Sequence, residues 1–99
     1  HMTEQNKQQV VSTFHTQANL SQALFTILRQ HYGEVAKNSP LGADMPSFIA
    51  EALHMICHNV ANIGNGNPYD LKSWENINLY SKEVTNIITS AQSNNQQGN

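Results

Sequence analysis

The chain has 99 residues and a mass of 11.0 kDa, which allows one small domain and no more. Only 12% of it is charged, about half the usual share, while Asn and Gln together fill 22 positions, so the surface must be polar yet nearly uncharged. A net charge of -2, with Lys7, Arg29, Lys37, Lys72 and Lys82 scattered singly, excludes the basic stripe that bulk nucleic-acid binding requires.

No apolar run approaches the roughly 18 residues of a membrane span. The stretch from Thr3 to Lys7 lacks the basic-then-apolar profile of a signal peptide, so a soluble, cytoplasmic protein is expected. A single cysteine, Cys57, rules out an internal disulfide and a multi-cysteine zinc site, and it fits a reducing compartment. His1 ahead of Met2 reads as a cloning remnant, which makes Met2 the expected native start.

Residues 1–9 and 92–99 are polar, low-complexity segments and are expected to be disordered tails around one helical domain spanning 10–91. In the first helical segment Leu20, Leu24, Ile27, Leu28, His31 and Val35 recur at three- and four-residue steps, with Asn19 or Ser21 as its start and Asn38 with Pro40 as its stop. Turns through Val10, Val11 and Phe14 precede it. A linker over 39–44 follows, and Asp44 is placed to cap a second helix that carries Pro46 in its first turn. Phe48, Ile49, Ala52, Leu53, Ile56, Val60 and Ile63 make its apolar face, and the run from Gly64 to Pro68 ends it. Asp70 or Ser73 begins a third helix whose stripe is Trp74, Ile77, Tyr80, Val84, Ile87 and Ile88. The prediction is an all-α fold, a small three-helix bundle with four helices as the variant. So few large apolar residues make a marginal core, so a homo-oligomer is expected, with the remainder of the first helix as added surface.

Three local patterns could carry chemistry. Glu51-x-x-His54 and His54-x-x-x-His58 place three potential ligands for a divalent metal on adjoining turns of one helix. Helical di-iron sites use two such motifs with further Glu residues, and this chain has one, so a polar stripe beside the core with Cys57 as filler is the simpler reading. The run from Gly64 to Asn67 could approach a phosphate, but a helix C-terminus presents carbonyl oxygens and repels anions, so it reads as a helix stop. Tyr69 and Trp74 flank Asp70 and are candidate interface anchors, with Trp74 as core the simpler expectation. Glu51, Asp70, Glu75 and Glu83 do not reproduce the paired-carboxylate spacing of a metal-dependent hydrolase, and no nucleophile elbow is present, so no catalytic residue is assigned.

Between Ile56 and Val84 the chain carries Asn59-Val60-Ala61-Asn62-Ile63, then Asn65-Gly66, then Lys72-Ser73-Trp74-Glu75-Asn76-Ile77-Asn78-Leu79-Tyr80. This text resembles a small helical domain family of unknown function from tailed bacteriophages and prophages, itself loosely similar to the all-alpha nucleoside triphosphate pyrophosphatases. The family pattern is Lys-x-Ala-Arg-Ile, an Asn-Gly turn, then Asp-Ser-Trp-x-Asp-Ile-x-Gly-Tyr. The Ala, Ile, Asn-Gly, Ser-Trp, Ile and Tyr positions match, over less than a third of the chain. The family's Lys and Arg fall on Asn59 and Asn62, and its two Asp on Lys72 and Asn76. The resemblance therefore implies an enzyme-like frame with four charged positions altered together, either losing that chemistry or replacing structural ion pairs with asparagine pairs.

Two functions follow as expectations. The first is a non-catalytic phage or prophage protein that binds a host or phage protein in the host cytoplasm, for instance as an inhibitor of a defence or replication factor, with no cofactor. The second is a nucleotide-binding or nucleotide-hydrolysing protein that uses the groove between the second and third helices, lined by Glu51, His58, Asn62, Asp70 and Asn76.

Overall fold

The computed structural model describes residues 4–38 and 44–97, with side chains over 14–38 and 44–93. Its regular structure is entirely helical: α1 is Glu4–Ala36, α2 is Ser47–Gly64 and α3 is Leu71–Gln97. The expected all-α, three-helix architecture holds, and the described residues contain no strand.

The helix ends depart from expectation in ways that local chemistry explains. α1 does not begin at Asn19 or Ser21 but runs unbroken from Glu4. Glu4, Gln5, Lys7, Gln8 and Gln9 are straight-chain residues that lose little side-chain freedom in a helix, and no Pro or Gly interrupts the segment before Gly33. The same composition lets α3 continue to Gln97. Asp44 does not cap α2. Pro46 holds that position with φ -55° and ψ 142°, and no side chain caps the helix. The Pro46 carbonyl instead accepts from the amides of Ile49 and Ala50, at 3.1 and 3.0 Å, while the Asp44 carbonyl accepts from the Tyr32 hydroxyl at 3.5 Å.

The α2–α3 connection forms as its residues dictate. The amides of Asn65 and Gly66 donate back to the carbonyls of Asn62 and Ile63, closing the last turn of α2. Gly66 then takes φ +124°, a conformation that only glycine adopts without strain. Asp70 stands just before α3, and its carbonyl accepts from the Trp74 amide.

Both neighbours of α2 run antiparallel to it. Gln22 lies beside His54 and Tyr32 beside Asp44, while Asn62 meets Ser73 and Asn59 meets Asn76. α1 packs on α2 and α2 on α3; among the described residues α1 and α3 do not touch. The outer helices, of 33 and 27 residues, are longer than the 18-residue α2. By this register the first turns of α1 pass one end of α2 and the last turns of α3 pass the other. The result is an open layer of 65 × 28 × 18 Å with a radius of gyration of 17.8 Å, where a compact chain of this length would have about 13 Å.

An open layer buries only its two seams. Among the described residues the buried hydrophobic ones are Ala36, Ala52 and Ala61, and the largest fully buried side chain is Ser73. The expected stripes are therefore corrected: Leu24, Ile49, Leu53, Ile56, Ile63, Ile77, Tyr80 and Val84 are half-buried, whereas His31 is exposed. Also exposed are Leu20, Ile27, Leu28 and Val35 of α1, Phe48 and Val60 of α2, and Trp74, Ile87 and Ile88 of α3. The periodicity was that of helices, but each stripe is wider than the single seam that this chain can cover.

Two glycines should answer oppositely to alanine. A Cβ on Gly33 meets nothing within 4 Å, so Gly33→Ala should stabilise by about 0.5–1 kcal/mol through helix propensity. Gly66→Ala should destabilise by more than about 1 kcal/mol because of its φ. Urea unfolding of the two variants beside the parent checks both signs.

Candidate functional site

The α2–α3 seam is made of hydrogen bonds. The Asn62 side-chain amide donates to Asp70 Oδ2 and to Ser73 Oγ, each at 2.6 Å, and the Ser73 hydroxyl donates to the same Asp70 oxygen at 2.7 Å. One helical turn further along, Asn76 Nδ2 donates to Asn59 Oδ1 at 3.1 Å, and Asn59 Nδ2 donates to the Met55 carbonyl at 2.7 Å. A carboxylate among neutral donors is a strong acceptor, and the triangle fixes where α3 leaves the turn. Among the described residues no buried side-chain nitrogen or oxygen lacks a partner.

The residues expected to line a nucleotide groove are thus only partly brought together. Asn62 and Asp70 meet each other, and Asn76 joins the same seam through Asn59. Glu51 is exposed, and His58 belongs to the other seam. Ser73 and Asn59 are central to the network and were not among the residues expected to line the groove. The signal for Ser73 was its place three residues after a helix-starting Asp70, the spacing of a reciprocal cap.

The α1–α2 seam takes up the histidines. Gln22 Nε2 lies 3.3 Å from His54 Nε2, and Gln17 Nε2 lies 3.5 Å from His58 Nε2 and donates to the His58 carbonyl at 3.4 Å. The His54 ring stacks on Phe25 with centroids 4.8 Å apart, and the Arg29 guanidinium stands 5.6 Å over the same Phe25 ring. Glu51, His54 and His58 share a helix, but the two imidazoles turn to α1. Among the described residues no group of three His, Cys, Asp or Glu side chains is arranged to hold a metal ion. Cys57 is half-buried, and desolvation pushes its thiol pKa up from its ordinary value.

The turn between α2 and α3 presents an aromatic corner. Tyr69 is 90% exposed and Leu71 is exposed beside it. Trp74, expected as core, is 51% exposed, and its indole N–H donates to the Pro68 carbonyl at 2.8 Å. That bond ties the ring to the turn, which the Asn62–Asp70–Ser73 triangle holds in its turn. The backbone amides of Asn65 and Gly66 that a phosphate would need are spent on the helix stop. No helix among the described residues is long and apolar enough to cross a membrane.

Ser73→Ala should cost about 1–2 kcal/mol, since it removes one donor to Asp70 and one acceptor for Asn62 from a buried network; chemical denaturation measures it. Cys57 should alkylate with iodoacetamide more slowly than a free cysteine, with its rate still rising at a pH where a free thiol has levelled off. Comparison with protein-family models, curated proteins and solved structures finds no match to this chain.

Proposed function

We propose that the chain is a small non-catalytic protein of phage or prophage type that works in the host cytoplasm by binding a host or phage protein, for instance to inhibit a defence or replication factor. The observation that carries this reading is the aromatic corner. Tyr69 and Leu71 stand out from a turn whose backbone is held by internal hydrogen bonds, with Trp74 pinned alongside. Rigid, exposed aromatics lose little freedom when a partner covers them, and Tyr and Trp dominate the binding energy of protein interfaces. The scarcity of charge agrees, because interface centres are poor in Asp, Glu and Lys.

The nucleotide reading draws less support. Phosphates need donors that are free to turn toward them, and Asn62, Ser73 and Asn76 donate to Asp70 and Asn59. A divalent ion would find Asp70 as a lone carboxylate whose Oδ2 already accepts from two neutral donors, and among the described residues no group of three His, Cys, Asp or Glu is arranged to hold a metal ion.

A photo-crosslinking phenylalanine analogue at Tyr69, incorporated in a bacterial host with and without phage, tests the proposal. A single defined adduct is expected, and Leu71→Asp should abolish it while leaving the helical circular dichroism unchanged. Absence of any adduct, or turnover of nucleoside triphosphates by the purified protein with Mg²⁺, would overturn it.

A further inference from the structure

The turn between α2 and α3 holds the chain's single Asn–Gly pair, because of all its asparagines only Asn65 precedes a glycine. An asparagine side-chain carbonyl carbon is open to attack by the backbone nitrogen of the next residue, and a glycine there has no side chain to shield that nitrogen. Asn67 supplies an internal contrast: Pro68 follows it, has no N–H, and cannot react in this way. Gly66 and Asn67 are exposed, so water reaches the pair, while Asn65 is half-buried.

The fold keeps the reacting atoms apart. Asn65 ends α2 with φ -86° and ψ 12°, which turns the Gly66 nitrogen away from Asn65 Cβ, whereas ring closure needs both on the same side of the Cα–C bond. The Gly66 N–H, whose proton has to leave, donates to the Ile63 carbonyl at 3.3 Å. Rotating ψ also pulls Gly66 from φ +124° and moves the start of α3. The Asn62–Asp70–Ser73 triangle opposes that movement, as does the indole bond from Trp74 to the Pro68 carbonyl. Among the described residues α3 packs on α2 and not on α1, so the turn is freed when this one seam parts.

We propose that Asn65 is a self-modifying site gated by this turn: it converts to aspartate and isoaspartate only while residues 65–70 are open, and the isoaspartate form keeps them open. In the open turn hydroxide removes the Gly66 amide proton and the nitrogen attacks Asn65 Cγ. The N–Cγ bond forms, the Cγ–Nδ2 bond breaks, and ammonia leaves with a proton returned by water, which closes a succinimide. Water then opens the ring at either carbonyl carbon. Attack at Cγ gives aspartate; attack at the main-chain carbon leaves the chain running through Cβ and Cγ, with the former carbonyl as a carboxylate. Nothing is oxidised or reduced. The second product adds an atom to the backbone between Ile63 and Asp70, and it sets a negative charge at the C-terminus of α2, where the helix dipole is already negative. Neither the Gly66–Ile63 pairing nor the Asn62–Asp70 bond at 2.6 Å then fits, so α3 is released and the aromatic corner loses its fixed shape.

Incubation of the full chain in heavy-oxygen water at neutral pH, followed by peptide mass spectrometry, measures the conversion at each asparagine. Asn65 should take up the label ahead of every other asparagine in urea-unfolded protein and far more slowly in native buffer. Ser73→Ala should speed its native conversion about 5- to 30-fold, the factor that corresponds to its expected loss of stability. If that variant fails to fold, urea below the unfolding transition should raise the rate of the unchanged chain step by step. The isoaspartate form, separated by ion exchange, should show weaker hydrogen-exchange protection in α3 and a shifted emission from Trp74, the sole tryptophan. Native conversion as fast as in urea overturns the gating, and an Asn65 that stays unmodified in the unfolded chain overturns the site. An isoaspartate form with unchanged α3 protection and Trp74 emission overturns the release. None of these readouts involves a partner, so the crosslinking result at Tyr69 stands or falls separately.

Discussion

The arrangement rests on one constraint: among the described residues α1 and α3 each pack on α2 and not on each other. A closed three-helix bundle shares one core among three pairwise contacts, and each helix then buries a stripe about a third of its circumference. Here two seams do all the work, so α2 is used on two sides and α1 and α3 on one side each. The apolar stripes that the sequence provides are broader than these seams, so part of each stays uncovered. The exposed Ile27, Val60 and Trp74 are thus one consequence of a single topological fact.

The two seams are chemically unlike. Between α2 and α3 a carboxylate, a hydroxyl and an amide satisfy one another in a closed triangle, and a pair of asparagines repeats the idea one turn along. Between α1 and α2 the polar contacts are longer and run from glutamines to imidazoles, beside a stacked Phe25–His54 pair. The described residues show one salt bridge, Lys37 to Glu34, exposed on the surface and worth little. A protein with so few charges relies on amide chemistry where others use ion pairs, and its 22 Asn and Gln residues are in part the means.

Helix content and order were legible because periodicity, Pro46 and the Gly64–Pro68 run are local signals. The starts were less so. Asn19 and Ser21 resemble caps, yet α1 passes through them because helix-favouring residues continue on the N-terminal side, and Asp44 lost its place to Pro46. At the candidate site, Asn62, Asp70 and Asn76 were found because their residue types drew attention, but their pairing with Ser73 and Asn59 depends on the antiparallel register, which spacing alone does not reveal. Trp74 was read as core because a large aromatic on a helical stripe is normally covered by its own chain. No local pattern states that a chain will leave its apolar stripes partly uncovered.

That α1 and α3 do not touch among the described residues has a consequence in time as well as in space. Among the described residues every helix–helix contact joins neighbours along the chain, so the contact order is low and each antiparallel pair can form without waiting for a distant segment. During synthesis α1 and α2 can find each other before α3 has been made, and α3 then adds to a seam already standing. The chain assembles in the order in which it is written.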